Sequence, residues 1–152
     1  MNGDRVARQR ELARTAGLID DDLGTISLRG AFGLYCLHQQ TWVHRPGNGP
    51  GTAPAGFGSQ GYVAAMFRSW HLVGGDVPSS GPDWVAVLSF VQDCAMDELG
   101  HGWPELYADG RFSALLQPGS TRGQLSWLRS GQPFVPVGAL GSLPSGTVKA
   151  GP

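Results

Sequence analysis

Leu28-Arg29-Gly30-Ala31-Phe32-Gly33-Leu34-Tyr35-Cys36-Leu37-His38-Gln39-Gln40-Thr41-Trp42-Val43 is the stretch on which the architecture turns. A half-buried strand needs a two-residue period, and Leu34, Leu37, Gln39 and Gln40 break it. Helical spacing instead gathers Leu28, Ala31, Phe32, Tyr35, Trp42 and Val43 on one broad arc. Ser27 is placed to cap the first turn, and Pro46 ends the segment. Gly30 and Gly33 weaken such a helix by about 1 kcal/mol each relative to alanine, but they fall opposite the apolar arc. The spacing therefore predicts a helix.

Outward from this stretch the chain reads as further helices separated by irregular connections. Residues 4–17 form a short amphipathic pattern with Asp4 as cap and Gly17 as exit, followed by a turn at 18–22. Residues 45–58, rich in Gly and Pro, read as a long loop. From Ser59, the apolar positions Val63, Met66, Phe67, Trp70 and Val73 follow helical spacing up to Gly74 and Gly75. Residues 83–99 give the clearest helix, with Trp84, Val87, Leu88, Val91, Cys94, Ala95 and Leu99 on one face. Gln124–Arg129 and Phe134–Val137 read as two short strands around Ser130-Gly131-Gln132. Pro133 and Pro136 push the second to a sheet edge. The expectation is an α+β fold: three to four amphipathic helices, then a short C-terminal β-hairpin. Residues 1–143 would form one compact domain, and 144–152 a mobile tail.

Composition bounds the function. The 152 residues include 24 glycines and 11 prolines, nearly a quarter of the chain, against roughly 12% in ordinary proteins. Hydrophobic residues still make up 41%, enough for a core. Eleven basic residues against twelve acidic ones leave no excess charge to neutralise a phosphate backbone, so nucleic-acid binding is not expected. No apolar run approaches the ~18 residues of a membrane span, and the N-terminus does not read as a secretory signal. Two cysteines, Cys36 and Cys94, make no disulfide framework and read as packed thiols of a cytoplasmic chain. Ten arginines against the single Lys149, with few Ile and Asn, have the bias of a high-GC bacterial genome or of a phage infecting such a host. Charged residues are only 15%, and a sparsely charged surface is readily covered by a partner.

Several chemical motifs are present in letter only. Gly56-Phe57-Gly58-Ser59-Gln60-Gly61 matches G-x-G-x-x-G, and Gly58, Ser59, Gln60 and Gly61 would be an anion-binding turn at a helix start. The Gly-Pro-Gly-Thr-Ala-Pro-Ala before it is not the buried strand that a dinucleotide site requires. Ser59 lacks the glycine two positions upstream that a nucleophile elbow needs. The histidines His38, His44, His71 and His101 lack ligand spacing, so no metal or other cofactor is expected. The run Asp20-Asp21-Asp22 reads as a solvated turn rather than a cation site. Asp93 and Asp97 lie on the polar face of the 83–99 helix, whereas Glu98 falls on its apolar arc. Of the five tryptophans, Trp103 and Trp127 lie outside the helical core faces and are candidate interaction residues.

Val91-Gln92-Asp93, Glu98-Leu99, Trp103-Pro104, Trp127 and Val135-Pro136-Val137-Gly138 together resemble a pattern found in small uncharacterised proteins of high-GC Gram-positive bacteria. There a helix ending V-Q-(D/E)…E-L precedes a W-P-x-C-P-x-H stretch and a later W-x-C-P. The resemblance spans residues 91–140. It departs at the Cys and His positions, where this chain reads Glu105-Leu106-Tyr107-Ala108-Asp109-Gly110, and where Leu128-Arg129 follows Trp127. It implies fold and source, and carries over no metal site.

The preferred reading is a non-enzymatic structural or protein-interaction component of a larger bacterial or phage assembly, with a protein partner or self-association, in the cytoplasm or within a virion. The alternative is a small enzyme or ligand-binding domain whose pocket is lined by Tyr35, Trp42, Trp70, His71 and the acid Glu98.

Overall fold

The described part of residues 28–43 forms a turn and two strands, not a helix, and this overturns the expected helical architecture. In the computed structural model, which describes residues 2–36, 41–47, 63–68, 70–73 and 83–148, β1 is Phe32–Cys36 and β2 is Thr41–His44. Every residue of β1 is buried. A strand covered on both sides carries apolar residues on both, so the two-residue alternation disappears and helical spacing is met by coincidence. Phe32 and Leu34 join the main core with Leu28 and Ala31. Gly33 points the other way, beneath Pro46 and Trp42, where an added Cβ would come within 2.7 Å of Pro46 Cδ. That close approach is the reason for a glycine within a strand.

The expected second helix, from Ser59 to Val73, is likewise a hairpin within its described part. Val63–Phe67 forms β3 and Trp70–Val73 forms β4, with Arg68 at φ 53 beside the turn. Ala64, Ala65, Met66 and Phe67 are all buried, so this segment too hides its period. β3 pairs antiparallel with β1 through Phe32–Phe67 and Cys36–Val63, giving a four-stranded sheet ordered β2-β1-β3-β4.

Two helices pack on this framework. Helix α1, Asn2–Leu23, continues well past Gly17, and the segment 18–22 is its last part rather than a turn. Leu12, Ala16, Ile19 and Leu23 bury at helical spacing and seat α1 on the sheet. Helix α2, Trp84–Leu99, agrees with its sequence signals. Asp83 Oδ1 accepts from Ala86 N at 3.1 Å, and Gly100 closes the helix at φ 76 by donating to Met96 O. Val87, Leu88, Val91 and Ala95 are its buried face.

Beyond α2 the described residues are strand and turn, with one short 3-10 helix at Leu140–Ser142. β5 (Glu105–Ala108) pairs with β6 (Arg111–Leu115), and β7 (Gln117–Thr121), β8 (Gln124–Arg129) and β9 (Gln132–Pro136) form a three-stranded sheet. Asp109-Gly110, Arg122-Gly123 and Ser130-Gly131 make the three hairpin turns, all six residues with positive φ. The described residues thus hold two α-helices and nine strands instead of three or four helices and one hairpin. The described part of the tail touches the C-terminal strands. Thr147 O accepts from Tyr107 N at 2.8 Å, and Val148 bridges Leu106 and packs on the core.

The join between the N-terminal and C-terminal halves is a buried carboxylate. Asp22 is fully buried, and its Oδ2 accepts from Trp127 Nε1 and from Gly138 N, each at 2.8 Å, while Oδ1 accepts from Leu140 N at 3.1 Å. Gly138, at φ 99, packs directly under Leu18, where any side chain would collide. Burial pushes the Asp22 carboxyl up to about 6, against the three hydrogen bonds that favour its charge. Gln92 performs a similar task from α2, donating through Nε2 to Trp103 O at 3.0 Å and Leu116 O at 2.7 Å.

Asp22→Ala strands three buried donors and should cost about 3–5 kcal/mol in urea unfolding. The raised carboxyl also fixes a pH dependence. Because the folded form holds its proton more tightly than the unfolded chain, this group's contribution is greatest below pH 4 and is lost as pH rises through 6. Urea midpoints should therefore show the chain more stable at pH 5 than at pH 7.5 by about 1 kcal/mol from this residue. Asp22→Asn should flatten that difference.

Candidate functional site

The sheet register divides the residues expected to line a ligand pocket. Tyr35 and Trp42 are paired on β1 and β2, and their rings meet edge to face at 5.1 Å. Tyr35 aligns through Ala64 with Val73, whereas Trp70 aligns through Phe67 with Phe32. Trp70 therefore sits three residues along the sheet and two strands across from Tyr35, roughly 10 Å in each direction. His71 pairs with Met66 on β3. Glu98 belongs to the Trp70 end, because its Oε2 accepts from Arg68 Nε at 2.8 Å beside the β3–β4 turn. It is exposed rather than buried on the apolar face of α2. Gly58, Ser59, Gln60 and Gly61 lie outside the described residues.

The two candidate interaction tryptophans are core residues. Trp103 and Trp127 are both fully buried and pack edge to face at 5.3 Å, at the centre of the join between α2 and the C-terminal strands. They read as candidate interaction residues because they lie outside the helical core faces. Only the third dimension places Asp22 beneath the Trp127 indole. Trp103 Nε1 has no hydrogen-bond partner among the described residues. The aspartate run is also fully engaged and is not a solvated turn. Asp20 Oδ1 accepts from Gly30 N at 2.8 Å, and Asp21 pairs with Arg29 at 2.8 Å. His44, stacked on Phe32, lies 3.7 Å from Asp20 Oδ2. Asp93 and Asp97 are exposed, as their face of α2 implied. Among the described residues, no group of three or more His, Cys, Asp or Glu is placed to hold a metal ion.

A part-buried polar cluster beside an exposed aromatic lies on the C-terminal hairpins. Glu105 and Tyr107 alternate onto one face of β5, and Tyr107 Oη donates to Glu105 Oε2 at 2.8 Å, which raises the phenol's pKa. The other carboxylate oxygen, Oε1, lies 3.8 Å from His101 Nδ1, which contacts Gly102 O at 2.8 Å. Phe112, opposite Tyr107 in the register, meets its ring edge to face at 6.2 Å and is 58% exposed. Ser113 is an extra residue in β6, since Tyr107 pairs with Phe112 but Leu106 with Ala114. Its Oγ accepts from Arg129 Nη2 at 2.9 Å, tying this hairpin to the end of β8. Phe134 is the corresponding extra residue of β9, between Pro133 and Val135, and is 39% exposed. Bulges of this kind re-aim side chains at sheet edges. Sequence reasoning missed Glu105, Tyr107 and Phe112, although Asp109-Gly110 is a strong hairpin signal that places them on facing strands.

A scan against protein-family models, a search of curated proteins and a search of solved structures each returned no match to this chain. The chemistry must be read from the residues themselves, and the thiols are informative. Cys36 is buried within β1. Burial, reinforced by the charges of Asp93, Asp97 and Glu98, pushes the Cys94 thiol up to about 11. Neither is built as a nucleophile. Iodoacetamide at pH 7.5 should modify the folded chain roughly 100-fold more slowly than a free thiol, with both cysteines reacting once urea is added.

Proposed function

We propose that this chain is a structural or protein-interaction component of a larger bacterial or phage assembly, docking through its C-terminal hairpins. The observation that carries this reading is the pair of outward aromatics, Phe112 and Phe134. They are the large hydrophobic residues left exposed among the described ones, and each sits beside or on a strand bulge. The Arg129–Ser113 hydrogen bond holds the two hairpins together, so the aromatics are displayed on linked elements. Large aromatics at an open surface are the residue type that anchors protein interfaces.

The polar groups support the same reading. Arg68 and Glu98, Arg29 and Asp21, and Arg14 and Glu11 are paired with one another, and Asp22 is consumed by the fold. The thiols are poorly ionised or enclosed. The Arg-rich, Lys-poor composition supports a high-GC bacterial or phage origin.

Native mass spectrometry of the full chain, alone and after affinity capture from a high-GC bacterial lysate, tests this proposal. An oligomer or a stoichiometric complex is expected. The double substitution Phe112→Asp with Phe134→Asp should dissolve it while the chain still unfolds cooperatively, since both side chains are partly exposed and the cost should stay at about 1 kcal/mol each, the size of an ordinary point substitution. A chain that stays monomeric and uncomplexed in both measurements would refute it.

A further inference from the structure

The described end of the chain leaves the body and then returns to it. Leu143 donates its N–H to Leu140 O at 3.2 Å, and its side chain packs against the core. Three exposed residues follow, Pro144, Ser145 and Gly146. Gly146, at φ 86, has no atom beyond its chain neighbours within 4 Å of the place a Cβ would take, so the link runs clear of the body there. The return is specific. Thr147 O accepts from Tyr107 N at 2.8 Å, while Val148 bridges Leu106 and packs against the core. Because Leu106 faces Val148, antiparallel register sets Tyr107 opposite Thr147.

The seat that this segment fills is a strand edge. Leu106 already pairs with Ala114 of β6, so Val148 lies along the opposite edge of β5. The named strands of that sheet are β5 and β6. A two-stranded ribbon is marginal alone and gains from a third strand, and an open edge is a template for any segment of fitting register. The best-fitting occupant other than the chain's own tail is the same tail from another copy. It offers the same carbonyl to Tyr107 N and the same β-branched side chain beside Leu106.

We infer that this segment is exchanged between copies: Thr147 and Val148 of one chain lie on β5 of a second, whose own tail lies on the first. This rests on the interaction reading above and names the partner, a second copy of this chain. Reciprocal exchange makes the same contacts twice about a twofold axis, and the link 144–146 is the part that changes conformation. From Leu143 to Thr147 the link spans about 14 Å at most, so the C-terminal hairpins of the two copies are drawn together. The chain's own tail competes by proximity, so exchange is favoured as protein concentration rises.

Disulfide trapping on the full chain tests this. One sample carries Tyr107→Cys and the other Thr147→Cys, both with Cys94→Ala, while Cys36 stays buried in β1. Directly opposed residues on antiparallel strands lie about 5.5 Å apart, within reach of a disulfide. The two samples, mixed at high concentration and oxidised, should give a covalent heterodimer identified by its intact mass. Moving the second cysteine to the exposed link, as Ser145→Cys, should lower the yield about tenfold. Adding Val148→Asp to the Thr147→Cys chain should abolish it. Equal yields from Ser145→Cys, or no heterodimer, would overturn the inference. Thermal unfolding checks each variant. If one fails to fold, a mixture of isotope-labelled and unlabelled natural chains replaces it, with filtered NMR contacts expected between Leu106 of one chain and Val148 of the other. Absence of those contacts would equally overturn the inference. Exchange that persists with Phe112→Asp and Phe134→Asp would sink the aromatic docking proposal alone. A complex that forms without exchange would sink only this inference.

Discussion

Of three adjacent carboxylates at the end of α1, Asp22 joins distant parts of the molecule, while Asp20 and Asp21 hold the nearby 29–30 turn. Asp20 takes the Gly30 amide before β1 and lies beside His44 of β2. Asp21 pairs with Arg29 at the surface. Asp22 turns inward to the Trp127 indole and the amides of Gly138 and Leu140. Helical geometry spreads consecutive side chains by about 100° each, so a run of three is sufficient to address three directions. The Asp22 contact is then propagated. Trp127 is fixed by it, Trp103 packs on Trp127, and the carbonyl of Trp103 is held by Gln92 from α2. One buried acid thereby links the first helix to the second through the C-terminal strands.

This dependence explains which parts of the architecture were legible. Helix α2 announces itself because one face meets the core and the other meets water, with Asp83 and Gly100 at its ends. The β8–β9 hairpin is legible for a similar reason, Ser130-Gly131 being a local turn signal. The first sheet is not, since Phe32–Cys36 and Ala64–Phe67 are buried on both sides. Burial on both faces erases the periodicity that distinguishes a strand from a helix. The candidate site behaves in the same way. Tyr35 and Trp42 do meet, but Trp127 is claimed by a carboxylate 105 residues away in the chain, and Trp103 packs on Trp127. Such a partnership leaves no local trace. Glu105 and Phe112 were recoverable from the Asp109-Gly110 turn, whose register sets the two strands facing each other.

Two of the three strand irregularities, at Ser113 and Phe134, lie at the exposed surface, and the third, at Val43, packs against the core. Val43, Ser113 and Phe134 are each one residue more than the opposing strand requires. At Ser113 the surplus residue accepts a hydrogen bond from a neighbouring sheet, and at Phe134 it turns an aromatic toward solvent. Pro133 and Pro136 on β9 have no backbone N–H to offer, so that strand is a poor template for another chain's backbone.

The Asp22 contact also sets an order of events. Its three donors lie 105, 116 and 118 residues further along the chain. On a ribosome the first helix is complete long before Gly138 and Leu140 exist. Until then the acid has no reason to leave water, and α1 has only the first sheet to lean on. Closure of so long a loop is slow compared with forming local turns. The join between the two halves is therefore completed only once residue 140 has been made. Ending the chain before Gly138 would remove two of the amides that recruit Asp22 to the interior.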